Sequence, residues 1–333
     1  MNVFELTRAL VDIESITENE QRIGDALLAH VSDLAAQYGG KAELIPVEAS
    51  RNNVFAWWGE PVITLSTHMD TVPPFFPSRE DDTHIWGRGA CDTKGIIGAM
   101  IFALRDLLES GVRNLGLLFV VGEERNSAGA LAAAKTPRGS KFLINGEPTE
   151  NKLALGSKGA LRLEVVASGR MAHSAYPELG ESAIEKLLDA LEAARRVELP
   201  VDKTLGASTL NIGTIAGGRA PNVIPDHAQA ELFIRLVDSG DRTLAAMQQA
   251  MSGKAEVREA LRIPAQLLET LPGFETTVVS FTTDIPALGA AWGRPFLIGP
   301  GSIHLAHTIE ERIPKTEILE AIEIYKRMVR QLL

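Results

Sequence analysis

Apolar positions along the first half of the chain follow two alternating rhythms. Near the start they recur every three or four residues, which predicts a helix over about 2–14 and a longer one over 18–38. Apolar runs of strand length follow at 42–47, 53–57 and 61–66. A further helical pattern at 95–109 precedes the run from Leu115 to Val121, whose unbroken apolarity suits a strand covered on both faces. One more short buried strand ends at Ile144. Helices and strands alternating in this way predict α/β layering.

The rhythm changes after Ala160. The pattern predicts strand 161–168, helix 180–196, strands 208–215 and 227–237, helix 241–251 and a weak strand near 262–269. That order, β-α-β-β-α-β, closes into a small split β-α-β sandwich, and Leu271-Pro272-Gly273 would turn the chain back. The expected architecture is therefore a first domain of residues 1–160 plus 272–333 with a second domain, 161–271, inserted in it. The returning tail again alternates, with helices expected at 283–292 and 315–332.

Composition narrows the partners. With 333 residues and 45% apolar content the chain can fill two cores. A net charge of -10 argues against nucleic acid and anionic membrane, which would repel it, so small solutes are expected instead. The only cysteine is Cys91, so no intrachain disulfide forms and any metal must use histidine and carboxylate. The N-terminus lacks a signal-peptide pattern and the longest apolar runs are strand-sized, so a cytoplasmic location is the default expectation.

Candidate chemistry gathers at the ends of the predicted strands. His68-Met69-Asp70 follows the run 61–66, at the strand end where open α/β sheets place ligands. His68 could bind a metal with Asp70 orienting its other ring nitrogen, or it could be an ordinary satisfied histidine. The glycine-rich turn Gly87 to Gly95 invites a phosphate-loop reading, but its GxGxxD spacing puts an anion where a phosphate would need room. Asp92 fits better as a bridge between two cations, with a helix N-cap as the plainer alternative. Cys91 suits a small buried side chain better than a nucleophile, since no histidine is local. Glu123-Glu124 ends the run 115–121, where one carboxylate could hold a metal and the other act as general base, or both could be solvated. Glu147 follows the strand ending at Ile144, and either His304 or His307 could close a metal site. His30, His84 and His227 need no more than surface or structural roles on a helix, in a polar loop and at a strand start.

Taken together, HMD at 68, CDTKG at 91, GEE at 122, GEPT at 146 and AHT at 306 resemble the di-zinc hydrolases related to acetylornithine deacetylase, succinyl-diaminopimelate desuccinylase, aminoacylase and carboxypeptidase G2. GRMAHSAYP and GGRAPNVIPDHAQAELFIR, in the inserted domain, resemble that family's dimerisation-domain motifs. The resemblance implies a zinc-exopeptidase-like α/β/α catalytic domain, an inserted ferredoxin-like dimerisation domain, and a homodimer. It implies that His68 and Glu147 hold one zinc, Glu124 and His307 the other, that Asp92 bridges them, and that Asp70 orients His68; Co2+ or Mn2+ would fit the same ligands. Glu123 would be the general base, His173 would reach the neighbouring subunit's site to stabilise an oxyanion, and Asn222 and Arg235 would bind the substrate carboxylate. Lys158 stands where several desuccinylases place arginine, and the tail GPGSIHLAHTIEE looks closer to acetylornithine and acetyl-lysine deacetylases. The expected reaction is therefore hydrolysis of an N-acyl amino acid, N-acetylornithine or a related basic one. Dipeptidase, carboxypeptidase or desuccinylase activity on the same site is the alternative, and a metal-free binding dimer is the reading from a different class.

Overall fold

Leu115, Leu117 and Phe119 turn to one face of their strand, into a core shared with Leu6, Leu27, Ile97, Leu104 and Tyr325. Leu118 and Val120 turn to the other, against Ala130, Ala133, Leu288 and Trp292. Side chains alternate along a strand, so a run apolar at every position demands cover on both sides. The computed structural model, which describes residues 1–333, supplies that cover as an α/β/α sandwich.

At its centre is a six-stranded sheet in the order Lys41–Glu48, Arg51–Trp58, Leu115–Val120, Ile63–His68, Phe142–Asn145, Arg294–Leu297. The first two pairings are antiparallel and the remaining three parallel. Helices Val3–Val11, Gln21–Tyr38, Gly95–Glu109 and Lys315–Leu332 pack on one face. The shorter Ala128–Ala134 and Ile285–Leu288 pack on the other. The four parallel strands end on the same edge of the sheet, so whatever follows each of them is delivered to one place.

By internal contacts the chain divides into two units, one of residues 1–155, 268–277 and 283–333, the other of residues 156–267 and 278–282. The boundaries expected at 160/161 and 271/272 shift accordingly, and the second unit also takes the short piece 278–282. Within the second unit, strands Gly159–Ser168, Thr209–Gly217, His227–Leu236 and Glu256–Ile263 form an antiparallel sheet. Their spatial order, with Glu256–Ile263 and Thr209–Gly217 at the edges, is that of a split β-α-β, ferredoxin-like sandwich. Helices Ala183–Arg195 and Asp241–Met251 cover one face through Leu187, Leu191, Met247 and Met251.

Three local expectations change. The last strand of the inserted sheet is Glu256–Ile263, not 262–269, because it is a charged edge strand whose alternation is masked by exposed Glu256, Arg258 and Glu259. The helix expected at 283–292 is one turn, Ile285–Leu288, followed by a 3-10 segment from Gly289, whose positive φ of 56° interrupts it. His84 begins the short strand His84–Trp86 instead of lying in a loop. No helix is long and apolar enough to cross a membrane.

Candidate metal centre

His68, the last residue of its strand, is buried, and its two ring nitrogens face different partners. Nδ1 lies 3.0 Å from the main-chain oxygen of Asp70 and 3.5 Å from its carboxylate, so the orienting role expected of the Asp70 side chain is shared with its own carbonyl. Nε2 points to Asp92 Oδ1 at 3.1 Å, with Glu147 Oε2 at 3.9 Å. The Asp70 carboxylate accepts the backbone N–H groups of Glu123 and Glu124 at 3.1 and 3.3 Å, and the Thr17 hydroxyl at 2.8 Å. It thereby fastens the end of one parallel strand to the turn leaving its neighbour.

Asp92 reaches the centre from the loop that enters helix Gly95–Glu109, where the Asp92–Thr93 peptide is cis. It is not an N-cap, since its side chain points to the two imidazoles rather than to helix amides. His307 arrives from the tail with a left-handed φ of 62° and places Nε2 2.9 Å from Glu124 and 3.3 Å from Asp92. The nitrogen and oxygen donors of His68, Asp92 and Glu124 converge within 4.8 Å of one another. Glu147, following Phe142–Asn145, is buried with Oε1 lacking any hydrogen-bond partner. Of the two tail histidines, His307 lies beside Asp92 and Glu124, whereas His304 is exposed and has no contact with them.

The electrostatics describe a crowd of acids short of positive charge. Burial pushes Glu123, Glu124 and Glu147 upward, and the neighbouring carboxylates add to it while the histidines pull the other way. Burial opposes ionisation of Asp92 too, but the hydrogen bonds from His307 and His68 outweigh it and hold its carboxyl below the usual range. His307 is pushed up to about 10 by its bonds to Asp92 and Glu124. A set of two imidazoles and several buried carboxylates, one with an unpaired oxygen and none with a thiolate nearby, fits divalent cations that accept nitrogen and oxygen ligands.

Two acids escaped the sequence reading. Asp284 is buried with neither carboxylate oxygen hydrogen-bonded, and burial pushes it up to about 7 beside the same acid cluster. Glu311 is buried and bonded to Arg88 and to the loop that carries Asp92. Neither follows one of the apolar runs that end at the other acids, and the partners of Glu311 are more than two hundred residues away in sequence.

The three remaining candidates belong to the inserted unit. His173 is exposed on a two-residue strand paired with Val223–Ile224, and the neighbouring Ser174 N–H donates to the Asn222 carbonyl at 3.1 Å, so His173 and Asn222 share one small ribbon. Arg235 lies on the strand His227–Leu236 with its guanidinium 4.8 Å from the Phe233 ring, and burial, with no acid beside it, is what lowers its pKa.

The Peptidase family M20/M25/M40 matches residues 64–331. A peptidase M20 domain-containing protein of Schizosaccharomyces pombe is 38% identical over 340 residues, covering 98% of this chain and 84% of that one. A probable carboxypeptidase of Aspergillus niger is 36% identical over 368 residues, covering 97% and 88%. Among solved structures, aminopeptidase PepT from Bacillus cereus superposes with a TM-score of 0.82 at 19% identity, over 99% of this chain and 98% of that one. The metallo-carboxypeptidase Sso-CP2 from Sulfolobus solfataricus gives 0.78 at 16%, over 100% and 99%. At those identities the structural likeness speaks for the fold, while the family match and the curated relatives speak for descent. With the family model matching most of its length and a 38% identical relative covering nearly all of it, the chain belongs to Peptidase family M20/M25/M40, a family of metallopeptidases.

Proposed function

We propose that the protein hydrolyses the amide bond preceding a C-terminal residue with a free carboxylate, in a dipeptide or short peptide, using two divalent cations. The observation that carries the reaction is the placement of Asp92 within hydrogen-bonding reach of both His68 and His307, with Glu124 and Glu147 beside them. On this reading His68 and Glu147 would hold one cation, Glu124 and His307 would hold the other, and Asp92 would contribute to both. When bound, the cations, zinc by first expectation, supply Lewis acidity and lower the pKa of the attacking water. Glu123 takes the proton from that water and passes it to the leaving amine. His173 donates to the developing oxyanion, and Asn222 and Arg235 bind the carboxylate, a planar anion that a guanidinium can grip through two N–H groups.

The preference for a peptide substrate rests on the relatives named as carboxypeptidases. A second reading, deacylation of N-acetylornithine or a similar basic amino acid, draws on the tail around His307 and on the acidity of the chain. Both require the free carboxylate. A panel of dipeptides, their C-terminal amides, N-acetylornithine, N-acetyl-lysine and N-succinyl-diaminopimelate, assayed with cation-loaded protein, separates them. Amidating the dipeptide should cost about tenfold or more in kcat/KM, the worth of one charge-assisted contact. Equal rates on acid and amide would remove Arg235 and Asn222 from the proposal.

We also propose a homodimer joined through the inserted unit. The two edges of its sheet differ. Glu256–Ile263 carries Glu256, Arg258, Glu259 and Arg262, charges that discourage pairing. Thr209–Gly217 carries Ile212 and Ile215, 36% and 56% exposed, with no charged side chain along its length. An open edge of that kind is a template for a second strand. Ile215→Lys should shift the protein to monomer in sedimentation or light scattering, and if His173 acts across the dimer, kcat should fall with it. A wild-type protein that is monomeric at assay concentration would rule the dimer out.

A further inference from the structure

The glycine-rich loop that suggested phosphate binding is an anion nest already filled by the protein's own carboxylate. Glu311 Oε1 accepts the backbone N–H groups of Gly89, Cys91 and Asp92 at 2.9, 3.2 and 3.2 Å, and Oε2 accepts Arg88 Nη1 at 2.5 Å. Successive main-chain amides converging on one oxygen form a concavity suited to an anion. Gly89 adopts a φ of 84°, and a Cβ there would come within 2.7 Å of the Thr71 methyl, so the loop needs glycine to curl this way.

The route by which Glu311 arrives is short and rigid. Strand Arg312–Pro314 pairs antiparallel with His84–Trp86, Arg312 opposite Trp86, and the Gly87 N–H donates to the Glu311 carbonyl at 3.1 Å. The ladder therefore sets Glu311 against the first residues of the loop. Four positions earlier in the same tail segment stands His307, whose Nε2 lies 3.3 Å from Asp92 Oδ2. One segment thus supplies a candidate ligand and also holds the loop that supplies another.

We infer that Glu311 is a positioning residue that fixes the Gly89–Asp92 loop, and with it the Asp92 carboxylate, in its cation-binding conformation before any cation arrives. The inference rests on the two-cation reading above, and it adds a residue that touches neither cation nor substrate. Replacing the carboxylate by a carboxamide leaves the buried Arg88 without its counter-charge and turns an N–H donor toward either the guanidinium or the three loop amides, where an acceptor oxygen had been. The loop then relaxes, and each cation that Asp92 serves binds a less organised site.

Two measurements test this without relying on turnover. In the chelator-stripped, full-length protein, hydrogen exchange at the amides of Gly89, Cys91 and Asp92 should be slow, comparable to helix Gly95–Glu109. Exchange at the rate of an open loop, slowed only when cations are added, would overturn the inference, because the cations would then be shaping the loop. In Glu311→Gln, of the same volume, cation affinity by competition with a chromophoric chelator should fall about 10–100-fold, with kcat reduced and KM unchanged. Arg88→Lys, which leaves the three amide contacts in place, should lose less affinity than Glu311→Gln. Affinity in Glu311→Gln within twofold of wild type would also overturn it. Should that variant fail to fold, the exchange measurement on the wild-type chain still decides. If amide protection and affinity behave as expected but no peptide is cleaved, the substrate reading fails and the positioning role stands.

Discussion

Replacing Glu123 by glutamine should lower kcat by about 10²–10⁴-fold, the usual contribution of a positioned general base, while cation content and KM stay at their wild-type values. The two neighbouring glutamates divide the work by direction. Glu124 turns to His307, at 2.9 Å, and is tied to the ligand set. Glu123 has its backbone N–H held by Asp70 but no hydrogen bond to its carboxylate from either imidazole. Burial and the nearby acids raise its proton affinity, the direction that suits a group that must accept a proton and hand it on. Glutamine keeps the shape and loses only that capacity. Elemental analysis of the variant, beside its rate on the best substrate of the panel, separates the two roles. A variant that keeps more than a tenth of wild-type kcat would exclude Glu123 as the base, and one that loses cations would move it into the ligand set.

The division of labour between Glu123 and Glu124 was legible only as a pair of acids at a strand end. What made the centre readable was a property of parallel sheets: strands that run the same way end on the same edge, so His68, Glu124 and Glu147, scattered over eighty positions, each advertised themselves by following a short apolar run. Asp92 was legible for a different reason, since a glycine-rich turn with an acid in place of phosphate space is chemically odd. Glu311 was not legible at all. It sits in an acidic, polar stretch that reads as surface, and the antiparallel pairing with His84–Trp86 that makes it a buried partner of Arg88 links strands too short to announce themselves. Asp284 was hidden similarly, in a segment whose apolar spacing promised a longer helix than Gly289 allows. In the inserted unit the βαββαβ order was clear because its buried positions alternate strictly along His227–Leu236, whereas the charged edge strand blurred the same signal.

His68→Ala and Asp70→Ala should fail in different ways, although the two residues are separated by a single position. Without the His68 imidazole, Glu147 loses the histidine nitrogen 3.9 Å from it and Asp92 loses one of its two histidine partners. One of the two cations should then be absent at any attainable concentration, and turnover should fall below detection. Asp70 is placed to touch no cation: its carboxylate spends its lone pairs on Thr17, on the amides of Glu123 and Glu124, and on the near side of His68. Asp70→Ala should therefore keep both cations when they are supplied in excess, bind them about 10–100-fold more weakly, and recover turnover as they are titrated in. It should also lower stability by about 1–3 kcal/mol for each buried donor left without an acceptor, visible as an earlier urea midpoint. Asp70→Asn, which can still accept some of those donors, should lie between wild type and alanine on both scales. Full cation stoichiometry in His68→Ala would contradict its assignment as a ligand. A loss in Asp70→Ala that no excess of cation repairs would instead place the Asp70 carboxylate among the ligands and leave the orientation of His68 to the main-chain carbonyl alone.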